Sequence, residues 1–575
     1  MSESFQTVQV RDDRLNCKSA VKYAVEVGAA QVTVSENRAQ SESTSSHIYN
    51  IIVPSEVTII DRRVEWSSEV TTQLSFVGCP AGNGGPNNYD LLDYGMSAAL
   101  CAFPLHASTT VMSATINNNT VTVNMDDVLA LLIRFMDRQH IAKYTSTTPV
   151  MPDNYLKFED ARNATNNPLG SYSNSEKTHD YHARGALPIT GVRISFDNGN
   201  TWAPGSIYNQ GAGNALVELK FKTTEPFMCS PFIFAHEHVN SQGFYGVSNL
   251  NFRFNINPDF PLLNCAPDRV TPQNAVIPTP TCKITNFSNS KLTMVYLTPK
   301  PSMLLPYKNV VSFMEIPRYL TQGAVSNLQQ GQTFTQSINQ IQLNQVPDKL
   351  AFAVRRKRNN DVTKSDARCP ITQISLNWNN AAGILSSANQ QKLWLMSVEA
   401  GCNQSWYEFS GKTYAYQAGT SAGAPVVGAL NYTPLVGGFL VLDFAKHIQL
   451  TEDYYAPGSI GQFALQANIT FENQAAEALN ANDYEIITYV INSGVWVNER
   501  STSSQYTAIL TKSDVLTAAS QRSYYGSDVQ RIVGAGMTDN LKSSVGSAMS
   551  EGMGASGGSE LGGAGSSGGM KHRTK

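Results

Sequence analysis

The chain has 575 residues, of which 41% are hydrophobic and only 15% are charged. At roughly 100–200 residues per domain, this length predicts about three or four domains, or fewer large ones. The low charged fraction, against about 25% in a typical soluble domain, indicates a folded protein with neutral polar loops. The net charge of −3 argues against a dedicated nucleic-acid-binding protein, although a local basic face stays open.

The cysteines and the apolar stretches indicate in which cellular compartment the protein is found. No two of the eight cysteines form a C-x-x-C pair, which argues against a zinc ribbon or a thioredoxin-type site. We expect them to be buried hydrophobes in a reducing compartment. The N-terminus MSESFQTVQVRDDRL lacks the apolar core of a signal peptide, and residues 435–445 are shorter than the ~20 residues that span a bilayer. The sequence therefore predicts a soluble protein that is not secreted by the usual route.

Alternating apolar and polar residues dominate the chain. Residues 114–125 read as a hairpin that turns at Asn117–Asn119, and Asp126–Tyr144 is the best helix, with two acids at its positive N-terminal end. A shorter helix is predicted over Ser387–Glu399, ended by Gly401. Half-buried strands are predicted at six further places, which are Ala215–Lys222, Leu250–Asn257, Lys291–Thr298, Lys349–Val354, Ile374–Asn379 and Phe463–Phe471.

The C-terminus has a different composition. Half of the residues in Gly552–Gly569 are glycine, so this segment cannot bury enough apolar area to offset its ordering entropy, and we expect disorder. It ends in a small basic tip, Lys571–Lys575. Residues Arg531–Met549 before it predict a weak amphipathic helix.

The fragment GTSAGAPVVGA (419–429) fits the G-x-S-x-G pattern of a nucleophile elbow and also resembles the nucleophile segment of subtilisin-type proteases. Either interpretation makes Ser421 a nucleophile, which needs a histidine base held by a carboxylate. The upstream Asp and His-Gly motifs of subtilisins are missing. Asp443 and His447, downstream, would have to fold back together onto Ser421. Since Gly, Thr, Ser, Ala and Pro are also turn formers, we expect a structural serine.

Two histidine pairs have metal-ligand spacings. His236 and His238 would lie on one face of a strand, as at the start of a cupin site, but the glutamate that a cupin needs next is missing. His179 and His182 would share one turn. Because a metal site needs three or four converging ligands, we expect hydrogen bonds at the surface or between subunits instead, and no cofactor.

Residues Arg355–Arg358 form the only dense basic run. We interpret it as a solvated strand end or a subunit contact, with a DNA contact and a nuclear localisation signal as alternatives. The chain has no Walker A loop. Its only G-x-G-x-x-G match, Gly552–Gly557, lies in the Gly-rich tail and carries no dinucleotide-binding function.

The order and spacing of several segments resemble one known family. These segments are residues 31–66, 100–124, 296–319, 346–356, 369–411, 437–450 and 461–473. Together they resemble the double jelly-roll major capsid proteins of the virophage and polinton-like virus group, within the hexon-like lineage of eukaryotic double-stranded DNA viruses. The resemblance covers roughly residues 20–500.

The resemblance implies an all-β fold of two tandem eight-stranded jelly-roll β-sandwiches with long loops, a few short helices and a disordered Gly-rich tail. The expected divisions are an N-terminal arm (1–24), a first jelly roll (25–310), a second jelly roll (311–515) and a C-terminal segment (516–575). No catalytic, cofactor-binding or metal-binding residue is carried over.

The function implied is that of a non-enzymatic major capsid protein, located in the virion. Its homotrimers would form pseudo-hexagonal capsomers that tile an icosahedral shell around double-stranded DNA. Penton proteins, minor capsid proteins and a maturation protease are the further partners implied, with Leu561–Ala564 as a candidate cleavage point and the basic tip near packaged DNA. The alternative is a jelly-roll enzyme or carbohydrate-binding protein, which would need a complete Ser-His-Asp set, a three-ligand metal site or an aromatic cleft.

Overall fold

The computed structural model describes most of the chain between residues 31 and 514. The segments outside the description are 1–30, 82–88, 93–97, 137–140, 151–188, 205–207, 210–212, 233–242, 266–268, 272–273, 301–304, 358–360, 364–367, 418–425, 433–437, 451–455 and 515–575, with the single positions 380, 445, 449, 476, 509 and 512.

The first half of the described chain folds into one β-sandwich. Its larger sheet, sheet 1, has the order β1-β16-β5-β13-β10-β11, with β4 also on β16; sheet 2 has the order β2-β3-β14-β8-β9. The strands are β1 (Gln31–Arg38), β2 (Ser41–Glu42), β3 (Ser46–Ile52), β4 (Ile59–Ile60), β5 (Glu65–Cys79), β6 (Tyr89–Asp90), β7 (Ala98–Leu100), β8 (Thr109–Ile116), β9 (Asn119–Asn124), β10 (Ile189–Ser195), β11 (Ala203–Pro204), β12 (Tyr208–Asn209), β13 (Gly213–Pro226), β14 (Asn249–Ile256), β15 (Leu263–Cys265) and β16 (Thr281–Thr298).

The second half folds into a second sandwich. Sheet 3 has the order β17-β29-β21-β22, with β18 and β30 on β29 and β27 on β21; sheet 4 has the order β19-β28-β23-β24, with β20 on β28. The strands are β17 (Lys308–Glu315), β18 (Arg318–Gln322), β19 (Thr333–Ser337), β20 (Ile341–Gln345), β21 (Lys349–Arg356), β22 (Arg368–Cys369), β23 (Ile371–Trp378), β24 (Ala381–Ile384), β25 (Lys412–Gln417), β26 (Val426–Tyr432), β27 (Leu440–Asp443), β28 (Ile460–Glu472), β29 (Tyr484–Glu499) and β30 (Thr502–Tyr506).

The two sandwiches repeat one topology. In each, a long strand near the C-terminal end of the sandwich pairs with the first strand on one side and with a central strand on the other, giving the orders β1-β16-β5 and β17-β29-β21. The partner sheets repeat as well, as β3-β14-β8-β9 and β20-β28-β23-β24. Eight principal strands per sandwich in this order form a jelly roll, so the expectation of an all-β fold with two tandem jelly rolls is confirmed.

Large aromatic side chains fill each core. In the first sandwich the Trp66 ring stacks on Phe254 at a centroid distance of 4.4 Å, and Trp66 Nε1 donates to Tyr49 Oη at 3.2 Å. In the second, the Trp378 ring stacks on Phe463 at 5.2 Å. Offset aromatic pairs of this kind contribute roughly 0.5–1.5 kcal/mol beyond the area that they bury.

Sheet 3 is covered on both faces, which the sequence pattern did not indicate. β29 is buried at every residue from Tyr484 to Asn492. On β21, Leu350 and Phe352 point into the core of the second sandwich, whereas Ala351 and Ala353 belong to the core of the first. The prediction of a half-buried strand at Lys349–Val354 is therefore wrong in its burial, because the first sandwich covers the face that should have met solvent.

Short helices connect the sheets. They are α1 (Pro104–Ala107), α2 (Met125–Phe135), α3 (Gln390–Glu399) and α4 (Trp406–Ser410), with 3₁₀ turns at Lys143–Ser146 and Ala481–Asp483. The predicted helix 126–144 is thus confirmed only in its first part. The Asn389 side chain caps α3, and Gly401, with φ +91°, follows its end. The predicted hairpin is confirmed, with Ile116 opposite Asn119 and Asn117 at φ 54°.

Candidate assembly site between the two sandwiches

Helix α2 of the first sandwich lies against the outward face of sheet 3. Asp126 and Asp127 occupy its first turn, where carboxylates favour the positive end of the helix dipole. The Tyr489 hydroxyl on β29 donates to the Asp127 carbonyl at 2.8 Å. Apolar residues of α2 share one core with β21, β27 and β29, so the helix joins the two sandwiches; they are Met125, Val128, Leu129, Leu131, Leu132 and Ile133.

The Asp127 carboxylate is the centre of an ionic cluster at this junction. Its side chain is only 3% exposed, and it meets two guanidinium groups of the second sandwich. Arg355 Nη2 lies 2.5 Å from Asp127 Oδ1 and 2.5 Å from Glu485 Oε1, and Arg318 Nε binds Asp127 Oδ2. Arg355 Nη1 also donates to the Asp126 carbonyl at 3.0 Å. We call Asp127, Arg318, Arg355 and Glu485 the Asp127 cluster.

The charges of the Asp127 cluster balance, with two guanidinium groups and two carboxylates. Burial alone would lower the pKa of the Arg355 guanidinium, but Asp127, Tyr489 and Glu485 outweigh it and raise the pKa above its usual value. Arg355 therefore stays charged. Ion pairs with good geometry and further hydrogen bonds offset the cost of desolvation, whereas removing one partner leaves a costly unpaired charge.

The basic run that begins at Arg355 is not a solvated strand end, so that interpretation is wrong for its first two residues. Arg355 is held in the Asp127 cluster, and the Arg356 side chain is only 4% exposed, with Nη2 3.3 Å from Glu477. Lys357 Nζ donates to Gln322 Oε1 at 2.6 Å. Arg358 lies outside the described residues. The carboxylates that bind the run come from distant parts of the chain, which explains why the sequence suggested a solvated patch.

The C-terminal end of α2 is fixed to the second sandwich as well. Arg134 Nη1 donates to the Asn403 carbonyl at 3.0 Å and to Glu408 Oε1 at 3.0 Å. Burial acts to raise the pKa of Glu408, but Arg134 and hydrogen bonds from Ser405 outweigh it and leave the pKa lowered. Lys349 Nζ lies 5.6 Å from the centre of the Phe135 ring. Both ends of α2 therefore carry charged contacts to the same partner.

A second junction joins the hairpin turn of the first sandwich to β30. Asn117 Nδ2 donates to Ser503 Oγ at 2.9 Å, and the Ser503 amide donates to Asn118 Oδ1 at 2.9 Å. Ser503 Oγ in turn donates to Asn498 Oδ1 at 2.7 Å. Buried polar side chains that satisfy one another in this way rigidify a contact. The two sandwiches are thus held at two separate places.

The residues proposed for a hydrolase do not form a triad in the described part of the chain. His447 Nδ1 accepts a hydrogen bond from the Asp443 amide at 3.1 Å, and Nε2 lies 3.2 Å from Glu399 Oε2. The Asp443 carboxylate pairs with Lys446 at 3.3 Å instead. Ser421 lies outside the described residues. The Asp443 carboxylate therefore does not orient His447, as the hydrolase alternative would require.

The four histidines with metal-ligand spacings, His179, His182, His236 and His238, all lie outside the described residues, so the expected surface or inter-subunit hydrogen bonds stay a prediction. Within the residues that are described, no group of three or more His, Cys, Asp or Glu side chains is arranged to hold a metal ion. The seven cysteines in this part are buried, as predicted, while Cys17 lies outside it. No helix of the described chain is long and apolar enough to cross a bilayer.

Two buried histidines of the first sandwich were not predicted from the sequence. His47 is 0% exposed, and neither ring nitrogen has a hydrogen-bond partner among the described residues. Burial lowers its pKa to about 4. His106 Nδ1 lies 2.6 Å from Glu225 Oε2, with both side chains fully buried. No sequence signal marks either residue, because each is an isolated histidine, His47 within strand β3 and His106 within the short helix α1.

Both sandwiches match families of virophage major capsid proteins. Residues 3–297 match the family described as the first domain of the Sputnik virophage major capsid protein, and residues 316–494 match the C-terminal domain of major capsid protein V20. The chain is also 27% identical over 551 residues to capsid protein V20 of Sputnik virophage, an alignment that covers 94% of this chain and 86% of that protein.

Solved structures share the architecture. The chain is similar to one in the cryo-EM structure of the Sputnik virophage, with a TM-score of 0.72, 25% identity, and coverage of 92% of this chain and 100% of that one. It is also similar to the crystal structure of the mavirus major capsid protein, with a TM-score of 0.64, 16% identity, and coverage of 90% and 98%. The second likeness supports the fold alone.

Proposed function

Because this chain belongs to the family of virophage major capsid proteins, we propose that three copies of it associate into a pseudo-hexagonal capsomer. Its role as a capsid-forming structural protein follows from that membership. The proposal adds the assembly state: capsomers that tile an icosahedral shell around double-stranded DNA in the virion.

The rigid pairing of two similar sandwiches carries the proposal. The Asp127 cluster and the contact between Asn117 and Ser503 hold the sandwiches side by side. Two similar units per chain and three chains give six similar wedges around one axis. Such wedges fill a hexagon only if the two within a chain keep one orientation, which two separate polar junctions and a shared apolar core favour.

The remaining parts of the proposal concern the division of the chain, its C-terminal segment and its further partners. We divide the chain into an arm (1–24), a first jelly roll (25–310), a second jelly roll (311–515) and a C-terminal segment (516–575). The last would lie inside the shell, with Lys571–Lys575 near packaged DNA. Penton and minor capsid proteins would complete the shell, and a viral protease would trim the tail near Leu561–Ala564.

Light scattering on the purified chain tests the assembly state. We expect a mass of about three times 62.6 kDa, or larger particles. Electron micrographs of the same sample should show pseudo-hexagonal particles. A monodisperse monomer at micromolar concentration would contradict the trimer, while the family membership would stand.

A further inference from the structure

Sheet 1 and sheet 3 occupy equivalent places in the two sandwiches, but within the described residues only the outward face of sheet 3 is covered by a helix. Helix α2 covers the outward face of sheet 3, as described above. On the corresponding face of sheet 1, Val32 and Val34 on β1 are 61% and 63% exposed, and Lys220 and Lys222 on β13 are exposed. Nothing in the described chain covers this face in the way that α2 covers sheet 3.

The equivalent helices differ in the same manner. α2 follows β9, the last strand of sheet 2, and α3 follows β24, the last strand of sheet 4. Eight of the eleven residues of α2 are buried because it packs on both sandwiches. α3 buries only Leu393, Met396 and Ser397, and leaves Leu395 and Val398 exposed at 41% and 42%. Within the described residues, α3 and the outward face of sheet 1 therefore lack the partner that their counterparts, α2 and sheet 3, have.

Strand register predicts where the missing contact would lie on sheet 1. The pair Lys349↔Ile491 begins the contact between β21 and β29, and the pair Glu65↔Thr293 begins the equivalent contact between β5 and β16. Counting from these pairs along β5 and β21 places Glu69 of β5 at the position that Ala353 has on β21. Ala353 is a residue of the core that the two sandwiches share.

Counting in the same way along β16 and β29 places Lys291 of β16 at the position that Tyr489 has on β29. The Tyr489 hydroxyl is the group that binds α2. A cavity of about 210 Å³ lies here, and Glu36, Arg38, Glu69, Lys222 and Lys291 are among the residues that line it.

We propose that α3 of one copy docks on this cavity of the next copy, as α2 docks on sheet 3 within the chain. The inference rests on the proposed trimer and names its contact. Since the two surfaces are different, the contact is heterologous and runs head to tail, which closes into a ring when the rotation allows it. Each of the three copies then supplies one helix and receives another.

The charges of the two surfaces fit each other. The exposed face of α3 combines aliphatic Leu395 and Val398 with Lys392 and Glu399. The cavity offers carboxylates for the lysine and cations for the glutamate. α3 has no acidic residue in its first turn, so the Asp127 cluster has no counterpart here and the contact between copies is less strongly ionic than the one within the chain.

Cross-linking between copies tests the contact directly. A chain with Glu69→Cys is co-expressed with a chain with Leu395→Cys, and the assembly is treated with a short bismaleimide; we expect a covalent product of two chains. The native cysteines of the described chain are buried, which keeps their background low. In the control, Val77→Cys replaces Glu69→Cys. Val77 is 68% exposed but lies eight residues further along β5, about 26 Å away, so no product is expected.

Charge insertion provides a second test. Leu395→Asp with Val398→Asp should reduce the mass in light scattering from three chains to one while circular dichroism stays unchanged, and Val77→Asp should leave the trimer intact. A trimeric wild type without the cross-link, or a trimer that persists in the double aspartate variant, overturns the contact and leaves the proposed function standing. A wild type that is itself monomeric overturns the trimer and the contact with it.

Discussion

The hydroxyl of Tyr489 donates to the carbonyl of Asp127 at 2.8 Å, although the two residues are 362 positions apart in the chain. Burial raises the pKa of Tyr489 to about 12, so the hydroxyl keeps its proton and stays a donor at physiological pH. The carboxylate of the same aspartate binds Arg318 and Arg355. One residue of the first sandwich therefore receives three contacts from the second.

Asp127→Ala is expected to lower the free energy of unfolding by about 3 kcal/mol, because it leaves two guanidinium groups at a buried junction without their shared carboxylate. Urea unfolding followed by tryptophan fluorescence measures the loss. Lys446→Ala is the matched control. Its pair with Asp443 spans 3.3 Å but the Lys446 side chain is 65% exposed, so the change in stability should be less than about 1 kcal/mol. Equal losses in the two variants would contradict the role of the Asp127 cluster.

A double-mutant cycle isolates the pair itself. Arg355→Met removes the partner charge but keeps much of the side-chain volume. Because Asp127 and Arg355 are in direct contact, the two losses should not add, and the coupling free energy should reach about 1–3 kcal/mol. Additive losses would show that Asp127 acts through packing alone.

The alternation of apolar and polar residues predicted the positions of the strands well, but it did not predict which other elements pack on their outward faces. The alternation in Leu250–Ile256 identified β14, whose apolar side chains are buried and whose polar ones face outward. The same logic failed at β21, since its outward face meets α2, and the sequence cannot show that a helix more than two hundred residues earlier returns there. Arg355 looked solvated for the same reason: its carboxylate partners are 228 and 130 positions away.

His47 predicts an acid sensitivity of the first sandwich. The folded state accepts only the neutral ring, with a pKa of about 4, whereas the unfolded chain takes up a proton near pH 6.5. Stability is therefore fully present above pH 6.5 and is lost as the pH falls towards 4, by about 3 kcal/mol in total. Thermal unfolding of His47→Phe across this range should show a flatter pH dependence than the wild type.

The control for this pH series is His447→Gln. His447 Nε2 lies beside the Glu399 carboxylate, unlike the unpartnered ring of His47, so its replacement should leave the steep part of the profile in place. If His47→Phe keeps the wild-type slope between pH 6.5 and 4, another group causes the acid sensitivity.

Ser421 is expected to be structural. His447 receives the Asp443 amide instead of its carboxylate, so this candidate base lacks the orientation that a triad requires. A fluorophosphonate probe should not label the wild-type chain, and Ser421→Ala should fold and assemble normally. Stoichiometric labelling that disappears in Ser421→Ala would establish a nucleophile here.

Intact-mass spectrometry of protein from mature particles tests the trimming of the tail. Removal of the segment after about Gly562 is expected, since exposed Gly-rich segments are ready protease substrates. Gly562→Val with Gly563→Val should block it, and the proposed salt-sensitive contact of Lys571–Lys575 with DNA should then persist in mature particles. A mass that extends to Lys575 in mature particles would rule out maturation by cleavage.

Sheet 3, buried on both faces, also affects how the chain is made. The first sandwich leaves the ribosome before the second, so α2 can be folded before β21 and β29 exist. When β21 and β29 emerge, their outward face can pack at once against α2 of the folded first sandwich. The stage at which this apolar face is exposed and prone to aggregation is therefore brief. A second sandwich synthesised alone would present Ala351, Ala353 and Ile487 to water, and we expect it to aggregate, whereas the first half should be recovered in the supernatant.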